Sequence, residues 1–444
     1  MRARSALFRG AGVVLVRAST DPGGLELPDT LDLDEEGALG EGQVWLAQLW
    51  QRDEVRVALR VASPAFCQQV DAVVGGGCVD ARQMRRVLIT ASSYLRRWQR
   101  RSTPFGLFAG VAAASVGQPV IMRLGQGNRV TARADARWLG GVIDSLQRHP
   151  ELLPRLLVVV NNAGLTRGDR FVVPARPDEG QPQRGAALDC SVRRTGAVNA
   201  ALVSAAEPIR TAALAQRIGE QFPRASSERI YSLLAGLVAS RVLLTSLRAP
   251  MTVVDPLGHL VTELESAGVE DLPDLADLVT QLAAIRDELS PSRLGMRPAG
   301  YAPALDGAAA RMRSVNDITE KVLTVDVALA GKFTVPEAVL REAEAAATAL
   351  LRLTPHPFGE PAWKDFHARF LDRYGVGATV PVCDVVADSG LGFPAGFLGA
   401  PRPLAPRSVT ERDITLLAMI QQATAEGRTE IALTEQTMRE LAVG

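Results

Sequence analysis

Lysine is nearly missing from this chain. Three residues, Lys321, Lys332 and Lys364, stand among 49 Lys plus Arg in 444 residues, so arginine is the working base. A guanidinium is planar, always charged, and grips carboxylate or phosphate through two parallel hydrogen bonds. Cysteine is sparse as well. Cys67, Cys78, Cys190 and Cys383 are scattered, with no Cys-x-x-Cys and no nearby histidine, which argues against disulfide-scaffold and zinc readings and fits a reducing cytoplasm. The four histidines, His149, His259, His356 and His367, have no metal-ligand spacing. No apolar run reaches membrane length; Ala11 to Val16, closed by Arg17, reads as a first β-strand rather than a signal peptide. Gly75-Gly76-Gly77 lacks the Lys and Ser or Thr of a phosphate loop, and Gly-x-Ser-x-Gly is absent.

What is present is a local excess of positive charge in a chain of zero formal net charge. Between Asp80 and Asp135 there is no acidic residue, yet there are ten arginines: Arg82, Arg85, Arg86, Arg96, Arg97, Arg100, Arg101, Arg123, Arg129 and Arg133. Asp80 is a good N-cap, and Met84, Val87, Leu88, Ala91, Tyr94, Leu95 and Trp98 recur at helical spacing. Pro104 pushes Thr103 out of helical geometry, so the helix is predicted to end near Arg101. Arg97 and Arg101 are one turn apart on one face. Two guanidiniums beside a hydroxyl at a helix-to-loop corner suit an anion; the alternative is a solvated basic face.

The segment Arg97-Trp-Gln-Arg-Arg101-Ser-Thr-Pro-Phe-Gly-Leu-Phe-Ala-Gly110 resembles the signature of the lantibiotic dehydratase family, in its N-terminal, glutamyl-tRNA-dependent part. Further matches follow in the same order. Arg133-Ala-Asp135-Ala-Arg-Trp-Leu139 is similar to the family's Asp-containing entry into a helix, and Val322 to Leu329 to a strand carrying an aspartate. Arg373-Tyr374-Gly375, Val380-Pro381-Val382 and Gly390 to Pro394 also match, as turn and packing motifs. The resemblance implies a glutamylation site built from Arg17, Arg97, Arg101, Thr103, Asp135 and Asp326. For three of these a purely structural use is open. Arg17 also reads as a strand-end surface residue, Asp135 as a helix cap, and Asp326 as a solvent-facing position.

With nearly half its residues apolar, the chain can bury a large core and divide into two or three parts. The expected class is α+β: a mixed body with an embedded winged-helix-like peptide-recognition module. Residues 1–154 form the first part. Val13 to Val16 is its first strand, 20–42 a loop, 43–49 a helix or strand, 55–61 a strand, then the arginine helix and glycine-broken strands over 105–120. Residues 155–250 form the module. Strands at 156–160 and 169–173 are joined through a turn at Asn161 to Gly164, and a Pro/Gly/Gln-rich break covers 174–185. Helices at 198–206, 211–222 and 226–240 and a closing strand at 242–247 complete it. The third helix has no basic stripe, which argues against reading a DNA major groove. Residues 251–444 form the third part. It is expected to hold a helix at 275–289, a loop over 290–302, the strand at 322–329 and a helix from Pro336 to Leu353. A helix at 412–426, a strand at 429–433 and a final helix from Thr434 close the chain.

The implied activity is transfer of glutamate from glutamyl-tRNA to Ser or Thr of a ribosomal precursor peptide, the first step of dehydration in lanthipeptide- or thiopeptide-type biosynthesis. The co-substrate is glutamyl-tRNA, no bound cofactor is expected, and an activated ester removes the need for an ATP site. The precursor leader is expected at the winged-helix-like module, added as a strand to a sheet edge. A separate elimination-domain protein or remaining dehydratase subunit is the expected partner, because this chain resembles about the first half of the family's glutamylation domain. Two rivals stand beside this reading: a non-catalytic precursor-binding subunit of a split dehydratase, and a tRNA-dependent relative that appends an amino acid without elimination.

Overall fold

Alternation of apolar and polar residues in Leu-Thr-Val-Asp-Val-Ala commits 323–328 to a strand with one greasy face. The sheet built around that strand organises the chain. The structure is a computed structural model describing residues 7–27, 37–77, 80–125, 127–176, 188–290, 298–356, 358–397, 399–404, 406 and 408–442.

Strand β1 (Val14–Ser19) is followed by three helices, α1 (Ala38–Trp50), α2 (Asp53–Ala62) and α3 (Pro64–Val74). The arginine helix is α4 (Ala81–Arg100), capped by Asp80, whose Oδ1 accepts from Gln83 N at 2.6 Å. Then come β2 (Ala109–Val116), β3 (Ile121–Leu124), β4 (Arg129–Ala134) and α5 (Ala136–Leu146). The next group is β5 (Leu157–Val160), β6 (Leu165–Arg167), β7 (Arg170–Arg176), β8 (Leu188–Arg193), α6 (Gly196–Ser204), β9 (Ile209–Arg210), α7 (Thr211–Gln221), α8 (Ser227–Ala239) and β10 (Leu243–Thr245). After it lie α9 (Pro256–Ser266), α10 (Pro273–Leu289), α11 (Pro298–Val315), β11 (Leu323–Ala328), β12 (Gly331–Val335) and α12 (Glu337–Leu353). The last helices are α13 (Pro361–Tyr374), α14 (Val382–Val386), α15 (Glu411–Ala425) and α16 (Glu435–Leu441).

The main sheet runs β3-β12-β2-β11-β4, with β1 on the other side of β2. The pairings make it simpler than six strands. β11 and β12 both run parallel to β2, and β4 and β3 run antiparallel to them. Each pair is one long strand interrupted at the same level, around Leu329 and Ala330 on one side and between Gly125 and Asn128 on the other. The break is stitched by Gly125 N donating to Ala330 O at 2.8 Å and Ala330 N donating to Asn128 Oδ1 at 2.9 Å. Val325, Val327, Val130 and Ala132 face inward into one core shared with α1 to α5 and α9 to α11. Residues 153–243 keep a separate core, in which Val158, Leu214, Ile218, Leu234 and Leu237 are buried.

Several sequence expectations are corrected here. Residues 55–61 are helix, not strand: Val55, Ala58 and Leu59 are the buried positions, a helical spacing that the alternating valines disguise, and Asp53 and Glu54 sit in the first turn. The two strands around Asn161 do not form one hairpin. Gly164 N closes the turn on Asn161 O, but β5 pairs with β10 and β9, whereas β7 pairs with β6 and β8. The break at 174–185 falls mostly outside the described residues. The loop expected over 290–302 already enters α11 at Pro298. The strand expected at 429–433 is irregular. The three helices of the module and its closing strand fall where the sequence puts them.

Candidate functional site

Inward valines on β11 and β4 force the residues between them onto the opposite, open face. On β11 these are Thr324, Asp326 and Ala328; on β4 they are Arg129, Thr131 and Arg133. Arg17 joins the same face from β1. It is level with Val111 of β2, which is level with Ala328 of β11, which is level with Arg129 of β4. Strand spacing separates Arg17 from the β11 row by about 10 Å, and Asp326 lies about 7 Å further along the strand. Arg17 is exposed, and its side chain makes no hydrogen bond or ion pair with another described residue.

The carboxylates are held differently. Asp326 Oδ2 accepts from Arg133 Nη2 at 2.5 Å, a diagonal cross-strand pair, since Asp326 is in register with Thr131 and Arg133 with Thr324. Asp135 caps α5, its Oδ1 accepting from Arg137 N at 2.9 Å, while its Oδ2 accepts from the Thr324 hydroxyl at 3.4 Å. The capping use is therefore real, and it leaves the second oxygen turned to the open face through Thr324.

Arg97 and Arg101 lie at the end of α4 and Thr103 just beyond it. Ser19 Oγ donates to Trp98 O at 2.5 Å, and Trp98 Nε1 donates to Thr20 Oγ1 at 3.0 Å, so the helix end is tied to β1 two residues beyond Arg17. The Phe-Gly-Leu-Phe turn is built for packing. Phe108 stacks on Trp98 with centroids 4.9 Å apart, and Phe105 and Tyr94 complete the cluster. Gly106 has φ +55°, which glycine adopts without strain, and a Cβ there would come within 3.0 Å of Val61 Cγ1. The Arg97 guanidinium lies 4.4 Å from the Phe105 ring centroid, a cation–π contact, with its Nε buried and lacking a hydrogen-bond partner. Arg101, the C-cap, and Thr103 are exposed. Neither Arg97 nor Arg101 touches Asp135 or Asp326; the partner of Asp326 is Arg133. Sequence reasoning counted Arg133 among the ten arginines without marking it for the site. The pairing that selects it joins residues 193 apart, and no local signal announces it.

A cavity of about 510 Å³ lies elsewhere, lined among others by Arg60, Cys67, Asp71, Asp306, Arg313 and Glu320, and by none of the six candidate residues. Its charges compensate internally, as in the ion pair between Arg60 and Asp306 at 2.5 Å. Burial pushes the Cys67 thiol up to about 12, against the opposing pull of Arg60. Among the described residues no three His, Cys, Asp or Glu converge as a metal site. No helix among them is long and apolar enough to cross a membrane.

The family description Lantibiotic dehydratase, N terminus, matches residues 51–444. The chain belongs to that family. As such a dehydratase homologue it is 25% identical to the subtilin biosynthesis protein SpaB of Bacillus subtilis over 310 residues, 68% of this chain and 28% of SpaB. It is 20% identical to the epidermin biosynthesis protein EpiB of Staphylococcus epidermidis over 319 residues, 71% of this chain and 31% of EpiB. The dehydratase homologue thus spans under a third of either curated relative. Among solved structures it is similar to the tRNA-dependent lantibiotic dehydratase MibB from Microbispora sp. 107891. The TM-score is 0.82 and the identity 28%, with 99% of this chain and 41% of MibB covered. The TbtB glutamylation domain from thiomuracin biosynthesis shares the fold, at TM-score 0.55, 18% identity, 90% of this chain and 50% of that one.

Proposed function

We propose that this lantibiotic dehydratase homologue transfers glutamate from glutamyl-tRNA to serine or threonine hydroxyls of a ribosomally made precursor peptide. The observation that carries the reading is the placement of exposed Arg17, Arg133 and Asp326 and half-buried Thr324 on one open sheet face, with Asp135 at its edge and the end of α4 tied to the end of β1. An open face rather than a closed cavity suits two macromolecular substrates. The similarity to MibB, which is tRNA-dependent by its description, points the same way.

In the proposed reaction the peptide hydroxyl oxygen attacks the ester carbonyl carbon of the aminoacyl end. The new ester bond forms, the bond to the ribose oxygen breaks, and the hydroxyl proton ends on the released ribose hydroxyl. Charge builds on the carbonyl oxygen in the transition state, and fixed cations stabilise it most where water is excluded. Arg97 and Arg101 are assigned to the anionic acceptor end, Thr103 to orienting the ester, and Arg17 to the glutamyl carboxylate or developing oxyanion. Asp326 holds Arg133 upright on the face, and Asp135 with Thr324 closes the far edge. The leader peptide is assigned to 155–250. There β8 has a neighbour on one side only, β7, among the described residues, while β6, the other edge strand, is tied through its own Arg167, which donates to Cys383 O at 2.8 Å. An open strand edge is the geometry that strand addition uses.

The rival in which the chain only captures precursor for other enzymes rests on its spanning 41% of MibB. Radiolabelled glutamate, charged onto tRNA and incubated with the chain and precursor, separates the two. Label on the peptide supports transfer. Precursor binding with no label, even when the remaining portion of a full-length dehydratase is supplied, sinks it.

A further inference from the structure

Residues 155–250 have a core of their own; buried Leu156 and Leu247 anchor their two ends in the body's core, and beside those anchors the contacts are polar. Both ends of β10 carry an arginine, and both arginines close on one carboxylate of the body. Arg248 Nη2 donates to Asp144 Oδ1 at 2.6 Å and Arg241 Nη2 to Asp144 Oδ2 at 3.3 Å. Asp144, Arg241 and Arg248 are only 21%, 13% and 21% exposed, so this is a partly buried triad rather than a surface pair. Arg241 is the single non-glycine residue with positive φ among those described, at 60°, and Asn161 Nδ2 holds it there by donating to its carbonyl at 2.9 Å. A bulky residue in that region signals a conformation imposed by its surroundings. Three residues on from Asp144, the buried C-cap Gln147 donates through Nε2 to Thr245 Oγ1 at 2.5 Å, seating the end of β10 against the same end of the helix.

That helix is α5, whose other end begins at Asp135. Its 11 residues make a rod about 16 Å long between the site edge and the seat of β10. We infer that Asp144 is a positioning residue: by clamping Arg241 and Arg248 it sets the angle at which the 155–250 module presents a bound peptide to the open sheet face. The inference rests on the reading that this module holds the leader and the sheet face carries out the transfer. The apolar anchors Leu156 and Leu247 by themselves would tolerate sliding. A carboxylate shared by two guanidinium forks fixes direction as well as distance.

The test compares Asp144→Ala with Asp144→Glu in the full chain. Spin labels are attached at Val203→Cys on α6 and Ile89→Cys on α4, both exposed positions, in a background without other reactive thiols. The distance distribution between module and body is narrow for the parent, broad for Asp144→Ala and partly restored for Asp144→Glu. This measurement needs no turnover, so it decides the clamp even if the chain proves not to transfer glutamate. With a precursor that the parent chain glutamylates, Asp144→Ala lowers kcat/KM about 10²-fold, the scale of an ångström-sized misplacement. Leader affinity and slow transfer to the leaderless peptide stay within twofold. A distribution as narrow as the parent's overturns the clamp. A loss of leader affinity parallel to the loss of transfer also overturns it, because Asp144 would then support the module itself.

Discussion

Replacing Asp326 by asparagine removes one negative charge from the open face while keeping its shape. The structural cost is small. The Arg133–Asp326 pair is 47% and 55% exposed, and half-exposed ion pairs contribute about 0.2–1 kcal/mol after solvent screening. A chain of this size would shift its unfolding midpoint by about 2 °C or less for such a loss. The functional cost is much larger if Asp326 organises the site. Loss of one group aligned with the reacting charge slows transfer about 10²–10³-fold, or roughly 2.7–4 kcal/mol. The two magnitudes differ enough for one variant to separate them. Thermal unfolding by circular dichroism gives the first number, and single-turnover transfer of labelled glutamate from tRNA to precursor gives the second. An Asp326→Asn protein that unfolds like the parent and retains more than a third of its transfer rate refutes the assignment. Arg133 and Asp326 would then be an ordinary cross-strand pair on a wet sheet.

Arg101→Ala should abolish transfer by at least about 10²-fold with leader affinity unchanged, measured by fluorescence anisotropy of a labelled leader; parallel loss of both would mean the two functions share a surface. Affinity for tRNA should fall steeply between 50 and 200 mM salt, about 10³-fold or more if six or so phosphates are contacted, and a flat dependence would count against a phosphate-tracking rim. Trp138 is fully buried, its Nε1 shared between Met312 O at 2.9 Å and Asn316 O at 3.1 Å, so Trp138→Ala should destabilise by about 3–5 kcal/mol in urea unfolding. Cys67 is 3% exposed with its thiol pushed up to about 12 from an ordinary value of 9.0. The unfolded thiol ionises first, so stability falls as pH rises from about 9 toward 12, and Cys67→Ser should flatten that limb of the pH–stability curve.

The sequence by itself determined the arginine helix, because its cap, apolar spacing and proline stop are all local. It also determined the inward and outward faces of 323–328, since a period of two assigns them without knowing the neighbour. The helices and closing strand of 195–245 were equally legible from caps and spacing. It misled where local patterns are ambiguous: Val55 to Val61 alternates like a strand but is seven residues inside a helix whose burial follows three- and four-residue steps. Only the tertiary structure decided that β11 lies between β2 and β4, which turns Arg133 into the partner of Asp326 and brings Arg17 to the same face from more than 300 residues away. It alone decided, too, that Arg241 and Arg248 close on Asp144. Strand order and long-range ion pairs follow from how separate apolar faces share one core, and no short window of residues contains that information.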